Sequence, residues 1–277
     1  MTANPWLDRR VLNYAHQGGA AEAPSSTLFA LRRAVAAGAD ALELDVHATS
    51  DGELVVCHDG TVDATTDGAG AIADMSSAEI RSLDNAYRFQ DDNGGFPYRG
   101  RAPDDREFAV ATLREVLEAF PGVFLNLDIK ATAPDVTPYE ATLAALLHEY
   151  GRRDDVIVAS FLDRATATFA ALAPDIPTSA GTMATASFYF AVRDGTEAPE
   201  MPHVAFQVPM RAGDVDVVTH HFVSRAHDAG KAVHVWTIND ESEMQHLLDL
   251  GVDGIMTDRP TLLEAQLQQR GVAYSPR

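Results

Sequence analysis

Acidic side chains alternate with apolar ones in two short segments of the sequence. In A-L-E-L-D-V-H, Glu43 and Asp45 share one face of a predicted strand, and leucine and valine occupy the other face. The segment V-F-L-N-L-D-I-K repeats the pattern and adds Asp128, followed on the same face by Lys130. Because unpaired charges are costly inside a protein, three inward carboxylates need a compensating positive charge. We therefore predict that Glu43, Asp45 and Asp128 bind a metal ion.

The side chains predicted to bind the metal limit which metal ions are expected. Carboxylate oxygens without a nearby cysteine favour one hard divalent cation, and the choice between Mg²⁺ and Ca²⁺ stays open. The alternative is that each carboxylate pairs with a buried lysine or arginine. Since two separate strands carry the same pattern, we favour metal binding.

Two histidines stand at the ends of apolar runs. His16 lies in A-H-Q-G-G and His58 lies in V-V-C-H-D, each beside a glycine-rich or polar turn. A histidine in such a position is often purely structural. A pair at the mouth of one site can instead donate and accept protons during catalysis. The spacing alone leaves both interpretations open.

The elements that must position these residues alternate along the chain. Apolar runs that predict strands are separated by helical patterns, which indicates a parallel sheet. Eight strands with intervening helices predict an α/β fold, a TIM (β/α)8 barrel formed as a single domain by residues 1–277. The eight predicted strands lie near residues 11–16, 41–48, 123–130, 155–161, 177–182, 203–208, 232–238 and 254–258.

Local signals set the limits of some elements. Hydroxyls at residues 25–27 offer a cap for the first helix, which Gly38 ends, and Asp258 is expected to cap the last helix before Pro260. Residues 60–108 are rich in glycine and proline and interrupt the alternation. We expect them to form a partly ordered insertion after the second strand, lying over the barrel mouth as part of the site.

Composition excludes some classes of partner. The 277 residues include 41 acidic and 21 basic ones, a net charge of −20 that disfavours nucleic acid. A small phosphodiester remains compatible, because one bound cation dominates its local potential. No transmembrane segment or secretory signal is visible, and a lone cysteine, Cys57, fits a cytoplasmic location. The sequence does not predict the oligomeric state.

Several segments resemble the glycerophosphodiester phosphodiesterase family. The likeness is nearly continuous over residues 14–70, through A-H-Q-G-G, E-A-P-S-S-T, A-L-E-L-D-V-H-A-T-S-D-G-E-L-V-V-C-H-D and T-V-D-A-T-T-D-G-A-G. It resumes at L-N-L-D-I-K, V-A-S-F, V-W-T-I-N and G-V-D-G-I-M-T-D-R-P. The resemblance implies a TIM barrel with a short insertion after the second strand. It also implies metal-dependent hydrolysis of glycerophosphodiesters to glycerol 3-phosphate and an alcohol.

The resemblance also implies a role for individual residues. By that likeness His16 and His58 are the acid/base pair, and Lys130 contacts the phosphate. Trp236 packs against the alcohol portion of the substrate, and the less favoured alternative is that it only fills the core. Ser160 and Phe161 match a family pair to which we assign a structural role. The implied cation ligands are Glu43, Asp45 and Asp128.

The sequence departs from the family pattern at three places. Gln17 stands where the family usually has arginine, and Ser25 and Ser26 replace a Glu-Asn pair. A positive phosphate contact and a negative partner are thus lost together. We expect Gln17 to give one neutral hydrogen bond to phosphate in place of a bidentate charged one. Asp128 replaces the usual glutamate and shortens the reach of that ligand by one methylene.

Three alternative functions remain at this point. An apolar cluster, Phe188 to Phe190, either belongs to the core or lines an acyl-chain groove on a mouth loop. In the second case the enzyme is a lysophospholipase D acting on lysophospholipids. A noncatalytic phosphodiester-binding protein would instead bind ligand without metal-dependent turnover. A different metal-using barrel, such as an aldolase, would have no need for the two histidines.

Overall fold

The computed structural model describes residues 4, 6–7, 11–130 and 138–271. Its strands are β1 Leu12–His16, β2 Ala41–Ala48, β3 Leu54–Val56, β4 Phe124–Ile129, β5 Val156–Ala159, β6 Ser179–Ala180, β7 Ala205–Pro209, β8 Arg211–Ala212, β9 Val215–Asp216, β10 Ala232–Trp236 and β11 Gly254–Thr257. The main sheet runs in the order β5-β4-β2-β1-β11-β10-β7-β6, and a parallel bridge between Val158 and Thr178 closes the ring. The eight-stranded TIM barrel is therefore confirmed, and each predicted segment overlaps one barrel strand.

Helices surround the barrel and cover the outward faces of its strands. Thr27 caps α1 by accepting a hydrogen bond from the backbone N–H of Ala30, as predicted, and Gly38 follows the helix with a φ of 102°. The outward side chains Leu42 and Leu44 of β2 belong to one apolar cluster with residues of the first helices. The helices within the described ranges are α1 Leu28–Ala36, α2 Ser77–Arg81, α3 Leu113–Ala119, α4 Glu140–Glu149, α5 Asp163–Leu172, α6 Thr182–Asp194, α7 His220–Asp228, α8 Glu241–Leu250 and α9 Pro260–Gln269.

The insertion after the second barrel strand begins with β3, which pairs antiparallel to β2 and so places His58 at the barrel edge. Residues 60–108 then continue through α2 and two 3₁₀ turns. The insertion packs beside α1, where the Phe29 ring lies 4.8 Å from both the Tyr98 and the Phe108 ring. None of residues 60–108 lines the cavity at the barrel mouth. The expectation that this segment covers the mouth was therefore wrong, because its aromatic residues pack against α1 instead.

No helix within the described ranges is both long enough and apolar enough to cross a bilayer.

Candidate active site

A cavity of about 610 Å³ opens at the carboxyl ends of the barrel strands, where TIM-barrel enzymes place their catalytic residues. Its lining has two parts of different character. The charged half comes from β1, β2, β4 and the segment after β3, and consists of His16, Glu43, Asp45, His58, Asn126, Asp128 and Lys130. The apolar half comes from later strands and from α6, and includes Phe161, Tyr189, Phe190, Val215, Val217 and Trp236.

Strand register brings the three predicted carboxylates together. Asp45 on β2 lies opposite Asp128 on β4, and Glu43 lies two residues before Asp45 on the same face. The ammonium of Lys130 contacts both aspartates, with Nζ 2.8 Å from Asp45 Oδ1 and 3.5 Å from Asp128 Oδ2. One lysine therefore faces three carboxylates, and the cluster keeps an excess of negative charge.

The carboxylate cluster has the chemistry of a cation site. Three of its buried oxygens, Glu43 Oε2, Asp45 Oδ2 and Asp128 Oδ1, have no hydrogen-bond partner in the described part of the chain. Burial, together with the Asp45 charge, raises the pKa of Glu43 above its ordinary value. Burial also raises the pKa of Asp128 to about 7, despite the opposing charge of Lys130. Each carboxylate thus offers one free, hard oxygen and would be stabilised by a further positive charge.

The arrangement is not that of a completed metal site. Over the described ranges, no group of three or more histidine, cysteine or carboxylate side chains is arranged closely enough to hold a metal ion. The Lys130 ammonium lies between Asp45 and Asp128. The donor set fits a divalent cation, and binding one would require the lysine to move away from these partners.

His16 ends β1 and is held by an acidic residue that directly follows the last strand of the barrel. Its Nδ1 lies 2.7 Å from Asp258 Oδ1, and its Nε2 lies 3.8 Å from Glu43 Oε2. Burial alone lowers the pKa of His16, but the hydrogen bond to Asp258 and the Glu43 charge outweigh it and raise the pKa to about 9. The carboxylates around this imidazole therefore favour its protonated form.

Asp258 does not cap the last helix, contrary to the prediction. The residue at the start of α9 is Arg259, which makes no side-chain cap, while Pro260 occupies the first turn as expected. The Asp258 carboxylate instead binds His16 and accepts a hydrogen bond of 2.6 Å from Asn239 Nδ2. The protonated imidazole of His16 gives the Asp258 carboxylate a charged partner, which the exposed start of α9 would not.

His58 lies on the opposite, more open side of the charged half. Its side chain is 49% exposed, and its Nδ1 lies 2.7 Å from Asp59 Oδ1. The His58 and His16 rings are 6.2 Å apart, centre to centre, at an interplanar angle of 79°. The structure thus brings the two predicted histidines together at one cavity, one largely buried and one accessible.

Gln17 and Ser26 form a strained turn beside His16. Their φ angles are 52° and 58°, and the Ser26 N–H donates to the Gln17 carbonyl at 2.8 Å. Gln17 is buried and is not among the residues that line the cavity. Its Nε2 lies 3.3 Å from His16 Nε2. Gln17, which was expected to contact the phosphate, therefore contacts the histidine rather than the open cavity.

The apolar half is built differently from the expectation for residues 188–190. These residues belong to α6, not to a loop, and Phe188 is in the core while Tyr189 and Phe190 line the cavity. Phe161 is 57% exposed and stacks edge-on against Trp236, with ring centres 5.4 Å apart. The structural role of Phe161 stays a prediction, and its exposed ring also lines the cavity.

Ser160 also lines the cavity, and its hydroxyl makes the hydrogen bonds that a structural role would require. Its hydroxyl donates to the Ile129 carbonyl at 2.6 Å and accepts from the Leu162 N–H at 3.1 Å. These bonds join the ends of β4 and β5 beneath the cavity.

Comparison with known proteins identifies the family. The model of the glycerophosphoryl diester phosphodiesterase family matches residues 16–262. The chain belongs to this family. As a glycerophosphodiester phosphodiesterase it is a phosphoric diester hydrolase, and its family generally uses a divalent cation.

Relatives match this phosphodiesterase over most of its length. The glycerophosphodiester phosphodiesterase of Bacillus subtilis is 31% identical over 265 residues, which cover 91% of this chain and 85% of the relative. That of Caldanaerobacter subterraneus subsp. tengcongensis is 30% identical, covering 92% of this chain and 96% of the relative.

Solved structures share the barrel. The glycerophosphoryl diester phosphodiesterase domain of a Mycobacterium tuberculosis protein superposes with a TM-score of 0.79 at 21% identity, covering 95% of this chain and all of that domain, 100%. An Oleispira antarctica phosphodiesterase, solved in complex with the product sn-glycerol-3-phosphate, gives a TM-score of 0.68 at 23% identity, with coverages of 94% and 96%. These likenesses establish the fold.

Some residues of this phosphodiesterase site were not found from sequence. Asp258 and Asn239 each follow a barrel strand, so their position at the catalytic edge was the available signal. The hairpin β8–β9, which contributes Ala212 and Val215 to the apolar half, turns at Gly213, whose φ is 60°. Gly213 followed by aspartate was a turn signal that strand periodicity alone does not use.

Proposed function

We propose that Glu43, Asp45 and Asp128 hold one divalent cation, Mg²⁺ or Ca²⁺, in this family member. The observation that carries the proposal is the set of three buried carboxylate oxygens without hydrogen-bond partners in the described chain, one from each residue. Such oxygens suit a hard cation, which would offset the cost of burying three carboxylates together. When bound, the cation supplies positive charge that offsets the charge developing on the phosphate oxygens.

We assign the acid/base roles to His16 and His58, which face each other across the charged half. One imidazole accepts a proton from the nucleophile, either water or a substrate hydroxyl next to the phosphate. The other protonates the oxygen of the leaving alcohol. A small phosphodiester would bind between them. The Oleispira antarctica phosphodiesterase, which was solved in complex with sn-glycerol-3-phosphate, supports a small phosphate ester as ligand by analogy.

Three further residues would bind or orient the substrate. Lys130 would exchange part of its contact with Asp45 for a phosphate oxygen, since its ammonium already lines the cavity. Trp236 would pack against the alcohol portion. Gln17 would act through His16, whose Nε2 it contacts, rather than through a direct hydrogen bond to phosphate. Equal turnover by Gln17→Ala and the parent would remove Gln17 from the site.

The test is turnover of a glycerophosphodiester by the parent, treated with EDTA and then restored with Mg²⁺ or Ca²⁺. We expect EDTA to abolish turnover and one of the two cations to restore it. His16→Ala and His58→Ala should stay inactive after restoration, whereas His221→Ala, on the exposed surface of α7, should behave as the parent. Turnover that survives complete chelation would refute the cation site, and tight substrate binding without turnover would indicate a noncatalytic protein.

The apolar half favours lysophospholipids as a second substrate class. Glycerol 3-phosphate esters of small alcohols are polar, yet Phe161, Phe190 and Val215 present exposed apolar surface along the cavity. An acyl chain would cover these side chains and gain free energy in proportion to the apolar area removed from water. The same charged half would then hydrolyse the phosphodiester of a lysophospholipid, with the chain lying along the apolar half.

Turnover of glycerophosphocholine and of a short-chain lysophosphatidylcholine, kept below its micelle concentration, compares the two classes. Both substrates release choline, so one assay reads both. A higher kcat/KM for the lysophosphatidylcholine supports the acyl-chain site. Absence of any lysophosphatidylcholine cleavage, with glycerophosphocholine cleaved normally, would exclude it.

A further inference from the structure

Asp258 and Asn239 form a hydrogen-bonded chain behind His16. His16 Nδ1 lies 2.7 Å from Asp258 Oδ1, and the second oxygen of that carboxylate, Oδ2, accepts from Asn239 Nδ2 at 2.6 Å. All three residues follow or end barrel strands at the catalytic edge. This series of hydrogen bonds therefore leads from His16 away from the cavity, which neither Asp258 nor Asn239 lines.

The orientation of the Asn239 amide is fixed by its other contacts. Asn239 Oδ1 accepts two hydrogen bonds, one of 2.8 Å from the Asp258 N–H and one of 3.1 Å from the Thr257 hydroxyl. The carbonyl end of the amide is thus bound to donors, and only the NH₂ end is left to face Asp258 Oδ2. The side chain at position 258 must therefore present a hydrogen-bond acceptor to the NH₂ group of Asn239.

We infer that Asp258 and Asn239 are positioning residues that keep a proton on His16 Nδ1 and leave Nε2 as the nitrogen that exchanges protons in the cavity. An ionised carboxylate only accepts hydrogen bonds, so the imidazole nitrogen facing it must donate. Nε2 points the other way, 3.8 Å from Glu43 Oε2. The inference rests on the acid/base role proposed above for His16.

The proton balance is the same for either role of His16. As a base, Nε2 takes the proton of the attacking hydroxyl and the ring becomes an imidazolium held by Asp258. As an acid, the imidazolium gives its Nε2 proton to the leaving alkoxide and becomes neutral. In both directions Nδ1 keeps its proton, and Asp258 stays ionised.

Asp258→Asn should reverse this arrangement. The carbonyl oxygen of the new amide would turn toward the fixed NH₂ of Asn239, which leaves its own NH₂ facing His16 Nδ1. Neutral His16 must then carry its proton on Nε2 and cannot act as a base there. We expect kcat/KM to fall by roughly 10²-fold or more, the usual contribution of a positioned acid/base group.

The exchange of the two side chains provides the decisive variant. In Asp258→Asn with Asn239→Asp, the carboxylate at 239 accepts from the 258 amide, from the 258 N–H and from Thr257. The 258 carbonyl oxygen is then free to accept from His16 Nδ1–H, at unchanged total charge. We expect the double variant to recover at least about tenfold over Asp258→Asn, a non-additivity that identifies direct coupling.

The tautomer is measured directly by ¹⁵N shifts of the His16 ring in the neutral form, assigned by comparison with His16→Ala. We expect the Nδ1–H form in the parent and the double variant, and the Nε2–H form in Asp258→Asn. Asp240→Asn, a neighbouring helix cap that retains its function as Asn, should leave turnover and tautomer unchanged.

Each measurement can overturn the inference. An Nε2–H tautomer in the parent would refute it even if the variants fail to fold. Parental kcat/KM in folded Asp258→Asn, or a double variant no more active than that single one, would also refute it. An inactive parent with a neutral Nδ1–H ring would instead remove the proposed catalytic role of His16 and leave the positioning contact in place.

Discussion

The two halves of the cavity differ in what they lack. In the charged half, three carboxylates face a single lysine, and the pKa values of Glu43 and Asp128 are raised because negative charges are buried together. In the apolar half, Phe161 is 57% exposed and Phe190 49% exposed, and both side chains line the cavity. A cation would therefore stabilise the charged half, whereas an apolar ligand would cover the exposed surface of the apolar half.

This difference separates chemistry from selectivity. The charged half comes from residues 16–130 and contains every group proposed for proton transfer and cation binding. The apolar half comes from residues 159–237 and contributes mainly apolar surface to the cavity. Changes in the first half should therefore abolish turnover of all substrates, whereas changes in the second should alter which diester is preferred.

Glu43→Gln tests the charged half and has the largest expected effect on activity. The substitution keeps the shape of the side chain but removes one of three anionic ligands, so we expect kcat/KM to fall at least about 10²-fold for every diester. The measurement is turnover at saturating Mg²⁺ and Ca²⁺. Glu53→Gln, on the turn before β3 and outside the cavity, is the matched control. Selective loss for one substrate class would break the division between the halves.

The same substitution should stabilise the metal-free protein. The folded pKa of Glu43 lies above its unfolded value, so the unfolded state loses its proton first and stability falls as pH rises above about 4.5. This cost grows by about 1.4 kcal/mol per pH unit until the folded group ionises too. Glu43→Gln should reduce that slope in denaturant titrations with EDTA between pH 5 and 7, and Asp128, whose pKa is also raised, should account for part of the slope that remains. An unchanged slope would show that the buried charge is already compensated.

The charged half was predictable because strand alternation places Glu43, Asp45 and Asp128 on one face without knowledge of the fold. The barrel was predictable for a similar reason, since eight apolar runs alternate with helical patterns. The Asp258 contact was not, because it joins residues 242 positions apart and only the closed barrel brings them together. Local reasoning offered a helix cap, which the structure replaced with a charged partner.

The apolar half was less predictable because exposure is a tertiary property. The sequence shows three adjacent aromatic residues at 188–190, but only the placement of α6 decides that Phe188 is buried while Phe190 reaches the cavity. The position of the insertion at residues 60–108 was also not predictable from sequence. Its glycine and proline content predicted a mouth segment, whereas Phe108 and Tyr98 pack on α1.

Phe190→Ser tests the apolar half and should change selectivity by a moderate factor. Covering roughly 50 Å² of its ring with an acyl chain is worth about 1.2 kcal/mol, so losing it should lower kcat/KM for lysophosphatidylcholine by about tenfold. Glycerophosphocholine turnover should change by less than about twofold, because that substrate has no acyl chain to cover the Phe190 ring. Leu172→Ser is the control, since Leu172 is 48% exposed but lies away from the cavity. Equal losses for both substrates would contradict the separation.

The turn at the border of the charged half gives the smallest expected effect. Gln17 and Ser26 are the non-glycine residues with positive φ in the described chain, and both lie beside His16 rather than in the apolar half. Ser26 also buries a hydroxyl with no hydrogen-bond partner among the described residues. Glycine adopts this conformation without strain and removes the buried hydroxyl, effects that outweigh its greater loss of chain entropy on folding.

We therefore expect Ser26→Gly to stabilise the protein by about 0.5–1 kcal/mol. This corresponds to a rise in melting temperature of roughly 1–4 °C for a chain of this size. Ser25→Gly is the matched control, because Ser25 lacks a positive φ and should gain nothing. If Ser26→Gly is more stable but also slower on both substrates, the strained turn serves to hold His16 in place. If Ser26→Gly is more stable and keeps the parental kcat/KM, the strained backbone at this position is not needed for catalysis.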